Sequence, residues 1–143
     1  MSKGLSAFFA QNVEKEEAVE FVASPRFKDE NGNPVSWKVS CITSKEDDAI
    51  RKDCTRRKPI PGKRGAYMPE LDTSEYLARV AVRCTLYPDL NSKELQDSYG
   101  VMGAEDLLRT MLKPGEYTDY TARVQEINGF DISFEDKVDE AKN

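Results

Sequence analysis

Val19-Glu20-Phe21-Val22-Ala23 and Val35-Ser36-Trp37-Lys38-Val39-Ser40-Cys41 decide the fold. In each run apolar and polar residues alternate, the period-two pattern of a strand with one buried face. The first presents Val19, Phe21 and Ala23, then Phe27 beyond Pro25; the second presents Val35, Trp37, Val39 and Cys41. Between them lies Asp29-Glu30-Asn31-Gly32-Asn33-Pro34, whose Asn-Gly pair accepts the positive φ angles of a tight turn. Residues 18–43 therefore predict an antiparallel β-hairpin. Pro25 lacks an amide hydrogen for the ladder and marks an edge position or a bulge in the first strand.

Downstream the period changes from two to about 3.6. Ser44 followed by Glu46, Asp47 and Asp48 opens a helix, its acids near the positive dipole end, that runs to Cys54 or Thr55. Asp72-Thr73-Ser74 caps another. Leu77, Val80, Ala81, Cys84 and Tyr87 share one stripe of that helix, and Pro88 ends it. From Asn91 onward short helices are expected. Asn91 and Ser92 offer caps, Gly100 interrupts, and Gly103 or Ala104 restarts. Leu107, Leu108, Met111 and Leu112 form one stripe; beyond the break at Pro114-Gly115, Tyr117, Tyr120, Val124 and Ile127 form another. Asn128-Gly129 is a helix stop. Phe130, Ile132 and Phe134 alternate briefly before a charged tail over 135–143. The expected fold is α+β. An N-terminal antiparallel hairpin, forming a small sheet, packs against several mostly C-terminal α-helices within a single domain, 1–143.

Two segments stand apart. Residues 1–17 carry Leu5, Phe8 and Phe9 at i, i+3 and i+4, a short helix or a loose arm. Its aromatic residues are expected to dock on the parent domain, the alternative being an arm that engages a partner. Residues 56–69 hold three prolines and two glycines, which predicts a mobile basic loop or an extended hairpin across Pro61-Gly62.

Thirty of the 143 residues are Leu, Ile, Val or Phe, enough for a small core. Charged residues make up 33% and the net charge is −5. That total conceals an asymmetry. Residues 51–64 carry a net charge of +6, and residues 89–143 carry −7. Unlike patches of this kind are two solvated faces, a polar partner surface, or a means of self-association.

Histidine is absent, which excludes His-based triads, general bases and metal ligands. Cys41, Cys54 and Cys84 form no CxxC pair, so a zinc site is not expected and free thiols of a reducing compartment are. Cys84 falls on the buried stripe of its helix and reads as a packed thiol. Cys54 stands among Arg51, Lys52, Arg56 and Arg57, whose charges would lower its pKa; an ordinary thiol is expected, with a redox role as the alternative. There is no Walker A sequence, GxSxG or dinucleotide-binding GxGxxG. Adjacent acids such as Glu105-Asp106 diverge on a helix surface, and Asp131, Glu135, Asp136 and Asp139 lack the spacing of an EF-hand. No cofactor or metal is expected. No apolar run approaches the length of a membrane span or of a signal peptide's apolar region. The loop at 51–64 passes a first test for phosphate binding, but the acidity of the whole chain opposes it.

Three longer strings are distinctive. They are Leu95-Gln96-Asp97-Ser98-Tyr99-Gly100-Val101-Met102-Gly103-Ala104-Glu105-Asp106-Leu107-Leu108, Met111-Leu112-Lys113-Pro114-Gly115-Glu116-Tyr117 and Val124-Gln125-Glu126-Ile127-Asn128-Gly129-Phe130-Asp131. With Phe8-Phe9-Ala10-Gln11-Asn12 and the stretch from Arg26-Phe27-Lys28-Asp29 to Trp37-Lys38, they resemble the XkdN-like phage tail assembly chaperones over nearly the whole chain. The resemblance implies a non-enzymatic role in building a long phage tail. The partners it implies are the tail tape measure protein and the tail tube protein, in the bacterial cytoplasm and not in the finished virion. The family often yields a longer frameshifted product, and Ala141-Lys142-Asn143 is compatible with a slippery codon heptamer. Two partner-binding surfaces are expected. One is Tyr99, Val101, Met102, Leu107, Leu108 and Met111, in which methionines adapt to a repetitive client, unless these residues close the core. The other is basic: Arg56, Arg57, Lys58, Lys63 and Arg64. A small nucleic-acid-binding regulator using residues 51–64 is the alternative function.

Overall fold

The computed structural model describes residues 4–130. A short 3-10 turn at Ser6–Phe8 precedes strands β1 (Val19–Phe21) and β2 (Trp37–Val39) and helix α1 (Ser44–Asp53). Strands β3 (Thr55–Pro59) and β4 (Tyr67–Leu71) come next, followed by helix α2 (Thr73–Cys84) and strand β5 (Thr85–Tyr87). Helices α3 (Lys93–Ser98), α4 (Ala104–Met111) and α5 (Pro114–Ile127) complete the order. The architecture is mixed α+β, with strands leading and most helices following, as the periodicities predict.

The hairpin forms over part of the stretch that the alternation marks: each strand is three residues long, the Asn31-Gly32 turn closes only an isolated bridge between Lys28 and Pro34, and Cys41, expected on the buried face, is exposed because β2 ends at Val39. β1 and β2 pair antiparallel with Val19 opposite Val39 and Phe21 opposite Trp37. Gly32 takes the positive φ of 82° that its turn demands. Trp37 and Val39 are buried and Lys38 between them faces solvent, where it meets Glu20 across the strands at 3.5 Å. β5 joins the other side of β2, giving a sheet in the order β1-β2-β5. This third strand departs from the sequence reading, which carried the α2 stripe through Tyr87. The helix ends at Cys84, and Tyr87 is an exposed strand residue before the Tyr87–Pro88 bond, which is cis. β-branched Thr85 turns the chain out of the helix, and its hydroxyl bonds both Ala81 O (2.7 Å) and the Tyr120 hydroxyl (2.5 Å). Tertiary pairing with β2 then outweighs the helical register.

Aromatic contacts join sheet to helices. Trp37 packs edge-on against Tyr120 of α5 at 5.2 Å, with Phe21 5.7 Å from Tyr120 and Phe27 5.9 Å from Trp37. α2 runs through the middle of the helices, buries Val80, Ala81 and Cys84, and touches α1, α4 and α5. Three helix starts have side-chain caps, while α4 begins at Gly103 without one. The Thr43 and Asp72 side chains accept from the amides three residues on, and Ser92 does so for α3. Thr43 and Glu46 complete a capping box.

Arg26 fastens the first hairpin to the α4–α5 junction. Its guanidinium donates to Met111 O at 2.7 Å and pairs with Glu116 at 3.0 Å. The buried Ser24 hydroxyl, the Lys113 amide and Arg26 together pull the Glu116 carboxyl down to about 2. A carboxylate depressed in the fold adds stability that is complete above its unfolded pKa and is lost as pH falls toward the folded value. Thermal melts followed from pH 7 to pH 2 should therefore show Glu116→Gln flattening the loss of Tm below about pH 4.5. A slope identical to wild type would disprove the tie.

Candidate partner-binding surface

The basic segment is a hairpin, the second of the two forms its sequence allows. β3 and β4 pair antiparallel from Thr55 opposite Leu71 to Pro59 opposite Tyr67, and Gly62 and Gly65 take positive φ at the tip. The hairpin grows from the top of the α1–α2 pair, where Asp72 N donates to Cys54 O at 2.8 Å. Every strand residue except Leu71 is exposed, so the hairpin projects from the body as an arm. Arg57, Tyr67 and Pro69 lie on one face; Arg56, Lys58, Met68 and Glu70 lie on the other.

Its charges are partly matched. Arg56 pairs with Glu75 at 2.5 Å and Lys58 with Glu70 at 2.9 Å. Arg57 stacks over the Tyr67 ring at 4.8 Å. Lys63 and Arg64 extend into solvent at the tip, with no ion-pair partner among the described residues. The five expected cations thus share one arm, and the free charge concentrates at its end beside exposed Tyr67 and Met68.

The expected methionine surface divides. Leu107 and Leu108 are fully buried and Met111 is 4% exposed, so these three close the core and present no contact surface in the folded chain. Tyr99 is partly exposed, Val101 is half-buried against the core, and Met102 is 90% exposed. The separation follows from a loop held by Gln96. Its side chain accepts from Gly103 N and donates to Leu90 O, and its carbonyl accepts from Val101 N. Gly100 and Gly103, both at positive φ, give the loop its turns. Met102 is left at its apex while α4 points its stripe inward.

Other expectations change. Phe8 is 79% exposed and Leu5 and Phe9 are also exposed, so the aromatic pair does not dock on the domain as expected. The lower part of the segment makes a local turn, in which the Asn12 side chain donates to Ser6 O at 2.8 Å and Val13 N to Phe9 O at 3.1 Å. Ile132, Phe134 and the 135–143 tail lie outside the described residues. Cys54 is buried and burial pushes its thiol up, opposite to what its basic neighbours in sequence imply. Burial raises Cys84 as well, and Cys41 is exposed. Asp47, Tyr76 and Arg51 form the most strongly perturbed cluster near the arm. The Tyr76 hydroxyl donates to Asp47 at 2.5 Å, Arg51 pairs with Asp47 at 2.9 Å, and Arg51 lies over the Tyr76 ring. Burial and the Asp47 bond push Tyr76 up to about 12. Although burial works against it, Asp47 is held below its usual range by Tyr76 and Arg51. This is a helix-to-helix tie between α1 and α2. Among the described residues no group of three or more Cys, Asp or Glu is placed to hold a metal, and no helix is long and apolar enough to cross a membrane. Sequence reasoning missed the exposed Leu86 and Tyr87 on β5, because α2 seemed to continue through them.

Residues 5–142 match the family described as phage XkdN-like tail assembly chaperone protein. The protein YqbN of Bacillus subtilis (strain 168) is 37% identical over 93% of this chain and 88% of its own length. The phage-like element PBSX protein XkdN of the same organism is 32% identical over 97% of this chain and 93% of its own. The crystal structure of YqbN has a TM-score of 0.76 at 33% identity, covering 89% of this chain and 97% of that one.

Two predictions rest on these placements. Met102→Glu should leave the thermal melt within about 0.5 kcal/mol of wild type, since exposed positions tolerate substitution. Met111→Glu should abolish cooperative melting because it buries an unpaired charge; equal melts for the two variants would disprove the division. In the native protein a thiol reagent at pH 8 should label Cys41 quickly and reach Cys54 and Cys84 only on denaturation. Mass spectrometry of the labelled peptides reads the order, and rapid native labelling of Cys54 would overturn its burial.

Proposed function

Because the chain belongs to the phage XkdN-like tail assembly chaperone family, we propose that it binds the tail tape measure protein and helps recruit tail tube subunits during tail morphogenesis. It does so by surface contact and without catalysis. The match across residues 5–142 carries this reading. It acts in the cytoplasm of the bacterial host and leaves before the virion is complete.

The exposed features support such a role. A long client needs contacts that hold it in solution and then let it go, which favours modest anchors ringed by charge over one deep pocket. The β3–β4 arm offers Lys63 and Arg64 at its tip with Tyr67 and Met68 beside them, and the Gln96-held loop offers Tyr99 and Met102. Charge at the arm steers acidic stretches of a client, and the aromatic and thioether groups supply adaptable apolar contact. Phosphate-backbone binding is the weaker reading, since Arg56 and Lys58 are already neutralised by Glu75 and Glu70.

The test is co-expression with the tape measure protein encoded in the same element, followed by affinity capture and sizing. The client should become soluble and co-elute. Lys63→Glu with Arg64→Glu, or Met102→Glu, should reduce the captured client several-fold without changing the melt. A client that stays insoluble with wild type disproves the reading. A salt-dependent shift of DNA or RNA by the wild-type protein, lost in the Lys63/Arg64 variant, would replace it with the nucleic-acid function.

A further inference from the structure

Two surfaces beside the first sheet have no occupant among the described residues. Residues 4–18 are exposed throughout and lead out from β1, an edge strand. At their far end the local turn presents Leu5, Phe8 and Phe9 to solvent. The stem behind that apolar knob is acidic, with Glu14, Glu16 and Glu17 against the single Lys15. The second surface is a cleft of about 370 Å³ beside β2 and β5, lined by half-buried Phe27, Val35 and Leu95 over the buried Trp37 and Met111, and flanked by the exposed ring of Tyr87. Arg26 and Lys28 stand at its rim. It has the size of a small-ligand site and a mainly apolar lining, but no convergent acid, base or metal-binding set that would fix a small substrate.

We infer that the cleft receives the Leu5-Phe8-Phe9 knob of a second copy of this chain, so that two copies exchange arms about a two-fold axis. The apolar head meets an apolar lining and the acidic stem passes the basic rim, so apolar character and charge are complementary between the two surfaces. Arg26 is already paired with Glu116, which leaves Lys28 as the rim cation that reads the stem. Beyond the local turn, the five residues from Glu14 to Ala18 span up to about 17 Å when extended, which carries the knob clear of the edge strand toward a neighbouring copy. An exchanged pair of knobs with matching cleft walls buries on the order of 1,200 Å² in total, at the lower edge of stable interfaces. The association is therefore reversible and concentration-dependent, which suits a protein that must release its partners. It does not depend on the identity of the client.

The experiment is analytical ultracentrifugation of the full chain from about 1 to 200 µM, with melts recorded in parallel. Wild type should pass from monomer to dimer across that range. Phe8→Ser with Phe9→Ser should weaken dimerisation at least tenfold with an unchanged melt, because both side chains are exposed in the single copy. Lys28→Glu should weaken it too, and adding Glu16→Lys and Glu17→Lys should restore it. A protein that stays monomeric throughout overturns the proposal. So does a dimer indifferent to the Phe8/Phe9 variant. If that variant changes Trp37 fluorescence equally at every concentration, the arm occupies its own cleft and the second copy is excluded.

Discussion

The contact between Trp37 and Tyr120 holds the rest of the structure in place. Its two rings meet edge-on at 5.2 Å across 83 residues of chain, one from the sheet and one from the last described helix. Large aromatic side chains supply 150–250 Å² of burial each, an amount able to offset the closure entropy of so long a loop. Phe21 and Phe27 extend the cluster on the sheet side. The Tyr120 hydroxyl, which must find a partner once buried, meets Thr85 at 2.5 Å. That bond sits where α2 gives way to β5. One aromatic pair thus fixes the sheet on α5 and coincides with the third strand, and the same Trp37 floors the cleft beside β5.

Around that cluster the helices divide their work. α2 is the shared neighbour of α1, α4 and α5, so its Val80, Ala81 and Cys84 carry apolar packing on several sides. Polar ties lie further out. Asp47, Tyr76 and Arg51 join α1 to α2, and Arg83 meets Glu46 at the other end of the same pair. Surface ion pairs such as Lys93–Asp97 contribute little on their own. The partly buried Asp47 set matters more because each polar group has a specific partner. It orients the helix pair from which the basic arm projects.

What is left outside the core is spread over three places. The arm of β3 and β4, the loop apex at Met102 and the N-terminal knob are three separate projections from one packed body. None is enclosed, and none assembles a set of catalytic groups. For the role proposed above, spaced contacts of moderate strength are the useful arrangement, because a single deep site would hold a client too firmly.

Local signals were legible in the sequence wherever one residue type settles one backbone question. Asn31-Gly32 specified a turn, Asp72 and Ser92 specified helix starts, and the alternation around Trp37 specified a strand buried on one face. Family membership was also legible, because it rests on long strings such as Leu95–Leu108 and needs no geometry. Periodicity failed where two elements abut. The stripe through Leu77, Val80, Ala81 and Cys84 carried the helix on to Tyr87, but pairing with β2 and the Thr85–Tyr120 bond convert those residues to a strand. The ordinary thiol expected at Cys54 agrees with its burial, which outweighs the basic neighbours that the alternative redox reading relied on. The partition of the candidate surface was beyond sequence. Leu107, Leu108, Met111 and Met102 are all apolar, and apolar character states a preference for burial without saying whether the fold provides it. Only the tertiary structure decided that α4 turns three of them inward, that Met102 stands at a loop apex, and that Phe8 and Phe9 have no seat in a single copy, because burial is settled by which surfaces meet in space.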